Sequence, residues 1–253
     1  MWKIIGASVP GTSHLAAGRA CEDASAWHAA DGRAFLAIAD GAGSRQMSGH
    51  GATLAVRQAL ALATKSAAGR QAADPASQLS LIFRAVRDQV MALAAADARD
   101  AGDYASTLAV AMLTSAAVSI AQIGDTIAVV GQDGRYETVA PAPRGEYVNE
   151  TTFLTGADAL AEIRITVHPA AGIGGVFLAT DGLRFKILDD LAVSSPFAPF
   201  FDDLSAYVRS ADASDGTLSR FLAGLDDQSG DDKTLVAAVR AAPVLDAAAR
   251  LPG

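Results

Sequence analysis

The sequence contains a single cysteine, Cys21, so no disulfide can form within the chain. This scarcity of cysteine favours a reducing compartment, and we expect a cytoplasmic protein. No stretch approaches the roughly 18 consecutive apolar residues of a membrane span. The segment from Met1 to Val9 is too short and too weakly apolar for a signal peptide. We therefore expect no association with a membrane.

Clusters of basic residues are also absent. The 253 residues include 20 Lys and Arg against 28 Asp and Glu, which gives a formal net charge of −8. A nucleic-acid-binding protein normally carries a basic face, so we expect no nucleic-acid partner. With 51% hydrophobic and 19% charged residues, the chain is typical of a folded globular protein. The excess of carboxylates suits hard divalent cations.

The distribution of apolar residues predicts an α+β fold. No linker divides the chain, so residues 1–242 are predicted to form a single domain that precedes a tail at 243–253. Strands are predicted at 3–9, 35–39, 106–114, 117–123, 126–131, 135–140, 152–155, 163–168, 175–180 and 234–240. Helices are predicted at 51–63, from Pro75 onward, at 199–210 and at 215–225. Because several turns between strands are short, we expect antiparallel pairing.

Aspartates stand at the ends of several predicted strands. Asp40-Gly41 and Asp181-Gly182 each follow an apolar run, and Asp231-Asp232 precedes the last strand. Gly124-Asp125 ends another strand and is interpreted as an ordinary turn. One Asp-Gly pair alone is typical of a hairpin. Several such strand ends at one edge of a fold would instead bring their carboxylates together.

Converging carboxylates require a counter-charge. At an effective dielectric constant of about 20, two unit negative charges roughly 5 Å apart repel each other by about 3 kcal/mol. Mg²⁺ or Mn²⁺ would turn this repulsion into attraction, and both ions prefer oxygen ligands. The pattern therefore points to a centre for divalent metals.

At this point the chain resembles the type 2C protein phosphatases, which are metal-dependent serine/threonine phosphatases. Six short elements carry the resemblance in the family's order. They are Cys21-Glu22-Asp23-Ala24, Ala39-Asp40-Gly41-Ala42-Gly43-Ser44, Asp103-Tyr104-Ala105-Ser106-Thr107-Leu108, Ile123-Gly124-Asp125, Ala179-Thr180-Asp181-Gly182 and Gly230-Asp231-Asp232-Lys233-Thr234-Leu235. Ser13-His14 and residues 145–151 are similar to a bacterial subgroup of the family.

The resemblance implies a four-layer α-β-β-α sandwich, with two central antiparallel sheets flanked by helices and two Mn²⁺ or Mg²⁺ ions in a cleft at one end. Catalysis would use a water that the two metals activate. The implied metal ligands are Glu22, Asp40, Gly41 through its carbonyl, Asp181 and Asp231, with Asp103 as a ligand of a possible third ion. Asp23 and Asp232 would support these ligands from behind, although the pair Asp231-Asp232 replaces the usual Asp-Asn and leaves open which of the two binds metal.

Two departures concern the groups that handle phosphate. The family's phosphate-binding arginine would fall at Gly18, so Arg19, Arg45 and His14 are the candidates here. The histidine that eukaryotic members carry after Asp-Gly is replaced by Ala42. Bacterial relatives often lack this histidine as well, so activity is still expected, although no side chain other than His14 is a candidate to protonate the leaving group.

The predicted function is hydrolysis of phosphoserine and phosphothreonine in proteins, with the substrate of a cognate bacterial kinase as the partner. Two alternatives share the fold. One is a pseudophosphatase that acts as a regulatory binding module, and the other is a phosphoesterase for small molecules.

Overall fold

Two five-stranded antiparallel sheets form the centre of the computed structural model, which describes residues 1–68, 74–139, 141, 151–226 and 229–241. One sheet has the strand order β1-β12-β9-β6-β7 and the other β2-β3-β4-β5-β8. The strand bounds are β1 Trp2–Val9, β2 Ala24–Ala30, β3 Arg33–Ala39, β4 Leu108–Leu113, β5 Ala117–Ile123, β6 Ile127–Gln132, β7 Arg135–Val139, β8 Arg164–Pro169, β9 Ile173–Ala179 and β12 Lys233–Arg240. A separate two-stranded ribbon pairs β10 Leu188–Asp190 with β11 Ser195–Pro196.

Helices cover the outer face of each sheet. The helix bounds are α1 Thr12–Ala16, α2 Ser48–Ala68, α3 Pro75–Ala96, α4 Arg184–Ile187, α5 Ala198–Arg209 and α6 Asp215–Gly224. α2 and α3 pack on the sheet that contains β3, while α5 and α6 pack on the sheet that contains β12. The predicted four-layer α-β-β-α sandwich is therefore confirmed. None of the helices in the described parts of the chain combines the length and the hydrophobicity that a membrane span needs.

Strand β3 shows why a short apolar run specifies this architecture. Successive side chains of a strand point to opposite faces of the sheet. Leu36 and Ile38 accordingly enter the core between the two sheets, whereas Phe35, Ala37 and Ala39 enter the core beneath α2 and α3. Because both faces of β3 are buried, its sequence is apolar throughout rather than alternating.

The sequence-based boundaries differ from the structure in a few places. Strand β2 was not predicted, because this edge strand is half-exposed and its alanines give a weak apolar signal. Residues 152–155 were predicted as a strand but form a turn, in which Leu154 N donates to Ser106 O at 2.8 Å. A single backbone bond to another segment does not make a ladder. The predicted tail at 243–253 lies outside the described residues, and the single-domain boundary stays a prediction.

The antiparallel order brings several strand ends to one end of the sandwich. β3 ends at Ala39 and β9 at Ala179, where Ala179 pairs with both Ile127 and Leu235. β5 ends at Ile123, which pairs with Leu108 at the start of β4. The acidic motifs follow or precede these strand ends directly, so the topology gathers them at this end.

Candidate metal centre

Asp40 is the first residue after β3, and its backbone is held on both sides by one threonine. Asp40 N donates to Thr107 Oγ1 at 2.8 Å, and Thr107 N donates to Asp40 O at 2.9 Å. Burial raises the pKa of Asp40 well above its ordinary value, and the negative charges of Asp23, Asp181 and Asp231 raise it further. Asp40 therefore lies at the centre of a group of mutually repelling carboxylates.

Asp181 supplies the clearest sign that this group is built for a cation. Its Oδ1 atom is buried and has no hydrogen-bond partner among the described residues. Its Oδ2 atom lies 3.7 Å from Arg184 Nη1. Burial, followed by the charges of Asp125 and Asp231, raises the pKa of Asp181 to about 6 against the opposing effect of Arg184. A buried carboxylate oxygen without a partner is costly, and coordination of a metal would remove that cost.

Gly41 and Glu22 approach each other closely. A Cβ atom at Gly41 would lie 2.6 Å from Glu22 O, so only glycine fits at this position. Glu22 Oε2 accepts a hydrogen bond from Ser48 Oγ at 2.9 Å, and Oε1 accepts one from Arg19 Nη2 at 2.5 Å. The Glu22 carboxylate is thus oriented from two sides beside the Asp40-Gly41 turn.

Asp232 and Asp231 have different surroundings. The Asp232 side chain is buried, its Oδ1 accepts hydrogen bonds from Gly11 N and His14 Nδ1 at 2.8 Å each, and its Oδ2 accepts one from Glu22 N at 2.6 Å. Asp231 is exposed, and its Oδ1 accepts a bond from Asp232 N at 2.9 Å. Since both oxygens of Asp232 are occupied by donors of the protein, Asp231 is the better candidate ligand.

Asp23 lies beneath the site. Its Oδ2 accepts a hydrogen bond from Thr180 Oγ1 at 2.7 Å, and Thr180 Oγ1 in turn accepts one from Thr234 N at 3.0 Å. Burial is the main cause that raises the pKa of Asp23 to about 8. Asp23 therefore connects the starts of β2 and β12 with the end of β9, which fits the supporting role that the sequence predicts.

The three candidate phosphate-binding residues lie in different settings. Arg19 Nη1 donates to Gly43 O at 2.9 Å, in addition to the bond with Glu22. His14 is buried against Asp232. Its Nε2 would lie 3.8 Å from a Cβ atom placed on Gly43. Arg45 is exposed in the loop after Asp40, with its backbone N bonded to Ala42 O at 2.8 Å.

Asp103, the candidate ligand of a third ion, lies in the short 3₁₀ helix Ala101–Tyr104. Its Oδ2 is 3.7 Å from Arg99 Nη1, and its carbonyl accepts a bond from Met47 N at 3.0 Å. The role of Asp103 in metal binding stays a prediction.

Sequence reasoning missed two residues of the site, Asp125 and Arg184. The charge of Asp125 acts on both Asp40 and Asp181, and Asp125 Oδ2 accepts a bond from Thr151 Oγ1 at 2.9 Å. Arg184 lines a cavity of about 160 Å³ together with Asp125 and Asp181. The placement of Asp125 after a strand, like that of Asp40, was a signal for it. The spacing of three residues between Asp181 and Arg184 was a signal for the arginine.

Among the described residues, no group of three or more His, Cys, Asp or Glu side chains could hold an ion by itself. The candidate ligands instead lie next to separate strand ends, and the set includes a backbone carbonyl. Mg²⁺ commonly binds one or two carboxylates and keeps several waters. The oxygen-only donor set, with the partnerless Oδ1 of Asp181, fits such an ion.

Comparison with known proteins agrees with the fold and the motifs. The family model described as protein phosphatase 2C matches residues 10–223. Serine/threonine-protein phosphatase 3 of Escherichia coli (strain K12) is 30% identical over 249 residues, which covers 94% of this chain and 98% of that protein. The match extends over nearly the full length of both chains.

Two solved structures share the fold at low sequence identity. Serine/threonine phosphatase Stp1 from Staphylococcus aureus superposes with a TM-score of 0.66 at 15% identity, covering 96% of each chain. The Mycobacterium tuberculosis serine/threonine phosphatase PstP/Ppp superposes with a TM-score of 0.62 at 17% identity, covering 95% of this chain and 99% of that one. With the family match over more than half of its residues, the chain belongs to the protein phosphatase 2C family, the metal-dependent protein phosphatases.

Proposed function

We propose that this phosphatase hydrolyses phosphoserine and phosphothreonine in proteins at a centre for two Mn²⁺ or Mg²⁺ ions that is built around Asp40. The observation that carries the proposal is the proximity of Asp40, Asp181 and Asp231: the charges of Asp181 and Asp231 both raise the pKa of Asp40, and the charge of Asp231 also raises that of Asp181. The buried, partnerless Oδ1 of Asp181 adds a donor that points to a cation.

The residues that would hold the ions follow from this arrangement. Asp40 would contact both ions, Asp181 and Asp231 would complete one of them, and Gly41 through its carbonyl and Glu22 would serve the other. When bound, the metal pair supplies Lewis acidity at the phosphoryl oxygens and lowers the pKa of the attacking water. Asp103 remains our proposal for a third, weaker ion.

The protein's own contribution is to fix these oxygens before substrate arrives. Thr107 fixes the backbone at Asp40 through two hydrogen bonds. Ser48 and Arg19 orient the Glu22 carboxylate. Because metal binds the deprotonated carboxylates, the raised pKa of Asp181 also makes metal affinity increase with pH. Partners that orient ligands in this way typically change metal affinity or activity 10- to 100-fold, on the order found for other metal sites.

Arg19 is the residue that we propose for contact with the phosphoryl group. A guanidinium has five N–H donors, and the bonds to Glu22 and Gly43 use two of them. The side chain is 39% exposed, so its remaining donors are accessible from the cleft. His14, which lies beside Gly43, and Arg45, which is exposed two residues after it, are proposed as secondary contacts.

The partner and the location complete the proposal. We propose that the substrate is a protein phosphorylated by a cognate bacterial serine/threonine kinase, in line with what the similar proteins are named for. A cytoplasmic location is also proposed, and the presence of only one cysteine supports it.

Hydrolysis of an aryl phosphate with Mn²⁺ or with EDTA tests the centre. We expect activity only with Mn²⁺, and at least about a hundredfold loss in Asp181→Asn, because the change removes a charged ligand at the point where phosphoryl charge is stabilised. Asp88→Asn is the matched control, since Asp88 is an exposed residue of α3. A wild-type enzyme inactive in Mn²⁺, or an unimpaired Asp181→Asn variant, would overturn the proposed centre.

Competition between substrates then separates the alternatives. A phosphoserine protein that competes with the aryl phosphate at low concentration supports the protein phosphatase. Efficient turnover of small phosphoesters, with no effect of a phosphoprotein, would instead identify a small-molecule phosphoesterase.

A further inference from the structure

A groove of about 640 Å³ lies between helix α2 and the segment that bears Arg19 and Glu22. Its near end is formed by Arg19 and Glu22, and its walls include His50 and Arg57 of α2 and Leu93 of α3. We call it the Arg57 groove. The hydrolysis described above uses only the near end, so the rest of the groove has no part in that chemistry.

Helix geometry sets the length of this groove. His50 and Arg57 are seven residues apart, which is close to two helical turns, so their side chains share one face of α2. With a rise of 1.5 Å per residue they are separated by about 10 Å along the helix. An extended peptide rises about 3.3 Å per residue, so the groove accommodates about three residues of a bound chain.

The charge of the Arg57 groove is opposite to that of the protein. Asp and Glu account for 28 of the 253 residues, yet the 21 residues of α2 include neither. The one carboxylate in the groove belongs to Glu22, which is already bonded to Arg19 and Ser48. Arg57 is exposed and makes no hydrogen bond or ion pair with any residue that the structure describes.

We propose that the Arg57 groove binds acidic residues of the protein substrate that lie within about three positions of the phosphorylated residue. The inference rests on the proposed activity toward phosphoproteins. A cationic groove that shares Arg19 and Glu22 with the proposed site, on an acidic protein, attracts acidic peptide and disfavours basic peptide. Because ion pairs of exposed side chains are individually weak, we expect selectivity among substrates of about three- to tenfold in kcat/KM.

The test compares phosphoserine peptides that differ only in the three residues on one side of the phosphoserine, which are all Glu, all Gln or all Lys. Each side is varied in turn. The readout is the ratio of kcat/KM for the Glu peptide to that for the Gln peptide, so a general change in activity cancels. We expect a wild-type ratio of about three to ten on one side, decreasing with ionic strength.

Charge reversal at Arg57 supplies the decisive variant. Arg57→Glu is expected to bring the ratio to about one or below, and to favour the Lys peptide over the Gln peptide. Arg84→Glu is the matched control, because Arg84 is an exposed arginine of the adjacent helix α3, outside the groove, and this variant should keep the wild-type ratio.

Two results would overturn the inference. One is a wild-type enzyme that hydrolyses the Glu and Gln peptides equally on both sides, and the other is an Arg57→Glu variant that keeps the preference for Glu. Absence of hydrolysis of every peptide by the wild-type enzyme, in contrast, would contradict the proposed phosphoprotein activity. The two failures are therefore distinguishable.

Discussion

The two ends of the sandwich carry the same dipeptide, Asp-Gly, in two different conformations. At one end, Asp31-Gly32 joins β2 to β3 and Asp133-Gly134 joins β6 to β7, and both residues of each pair have positive φ. At the other end, Asp40-Gly41 and Asp181-Gly182 have no positive φ among them.

The reason for glycine also differs between the ends. In the two hairpins, positive φ at both central residues is the signature of the turn that suits two-residue loops. At the metal end, glycine is required by close approach, because a Cβ atom at Gly182 would lie 2.0 Å from Asp232 O. The same two letters therefore specify a turn in one place and a candidate ligand beside a crowded backbone in the other.

The largest expected contrast is in activity. Asp40→Asn should lower kcat with Mn²⁺ at least about a hundredfold, because it removes the ligand at the centre of the carboxylate group. Asp31→Asn, the same substitution in a hairpin, should change kcat less than about twofold. Steady-state hydrolysis of an aryl phosphate measures both. Equal losses of kcat in the two variants would show that the Asp-Gly pairs at the two ends of the sandwich do not differ in their contribution to catalysis.

The next contrast is in the pH dependence of stability without metal. Because the folded-state pKa of Asp23 is raised to about 8, the folded protein holds a proton there that the unfolded chain releases near pH 4. The free energy of unfolding in EDTA should therefore fall as pH rises from about 4 to about 8, by on the order of 5 kcal/mol. Urea unfolding at a series of pH values measures this slope.

Asp23→Asn should reduce that slope and leave the part that the raised pKa values of Asp40 and Asp181 contribute, whereas Asp133→Asn in the opposite hairpin should leave the whole slope unchanged. Addition of Mn²⁺ should weaken or reverse the slope, since metal binds the deprotonated carboxylates. A slope in Asp23→Asn that is as steep as in the wild type would contradict the contribution of Asp23.

The smallest contrast concerns the glycines. Gly134→Ala should cost about 1 kcal/mol of stability through strain at positive φ and leave kcat unchanged. Gly182→Ala should lower kcat about tenfold, because the Asp232 backbone must move to admit the new methyl group. Thermal unfolding and aryl phosphate hydrolysis of both variants separate the two effects. The reverse outcome, an inactive Gly134→Ala and an active Gly182→Ala, would contradict the proposal that Gly134 only forms a turn and that Gly182 lies at the catalytic end.

Much of the fold followed from local patterns in the sequence. The apolar run at 35–39 predicted β3 because both of its faces are buried. Helix α3 was predicted to begin at Pro75 after an N-cap at Asp74, and the structure confirms this start: Ser77 N donates to Asp74 Oδ2 at 3.0 Å. The edge strand β2 escaped prediction because its exposed alanines lack a clear period.

The site could be predicted only in part. The aspartates at strand ends were visible along the sequence, although Asp125 was taken for an ordinary turn. The hydrogen bonds that orient the ligands were not visible, because they join distant segments. His14 and Asp232 are 218 positions apart, and no local pattern signals their contact. The Arg57 groove combines α2 with the loop of Arg19 and likewise required the assembled fold.

The position of β12 has a consequence for the stage of translation at which the enzyme becomes active. This strand is inserted between β1 and β9, and the loop before it bears Asp231 and Asp232, the second of which binds Gly11 N and Glu22 N near the opposite end of the chain. A nascent chain that has already emerged up to β9 still has a gap beside β1 and lacks Asp231 and Asp232 of the proposed metal centre. We therefore expect dephosphorylation to begin only after translation has passed β12, and a truncated product of stalled synthesis to be inert rather than partly active.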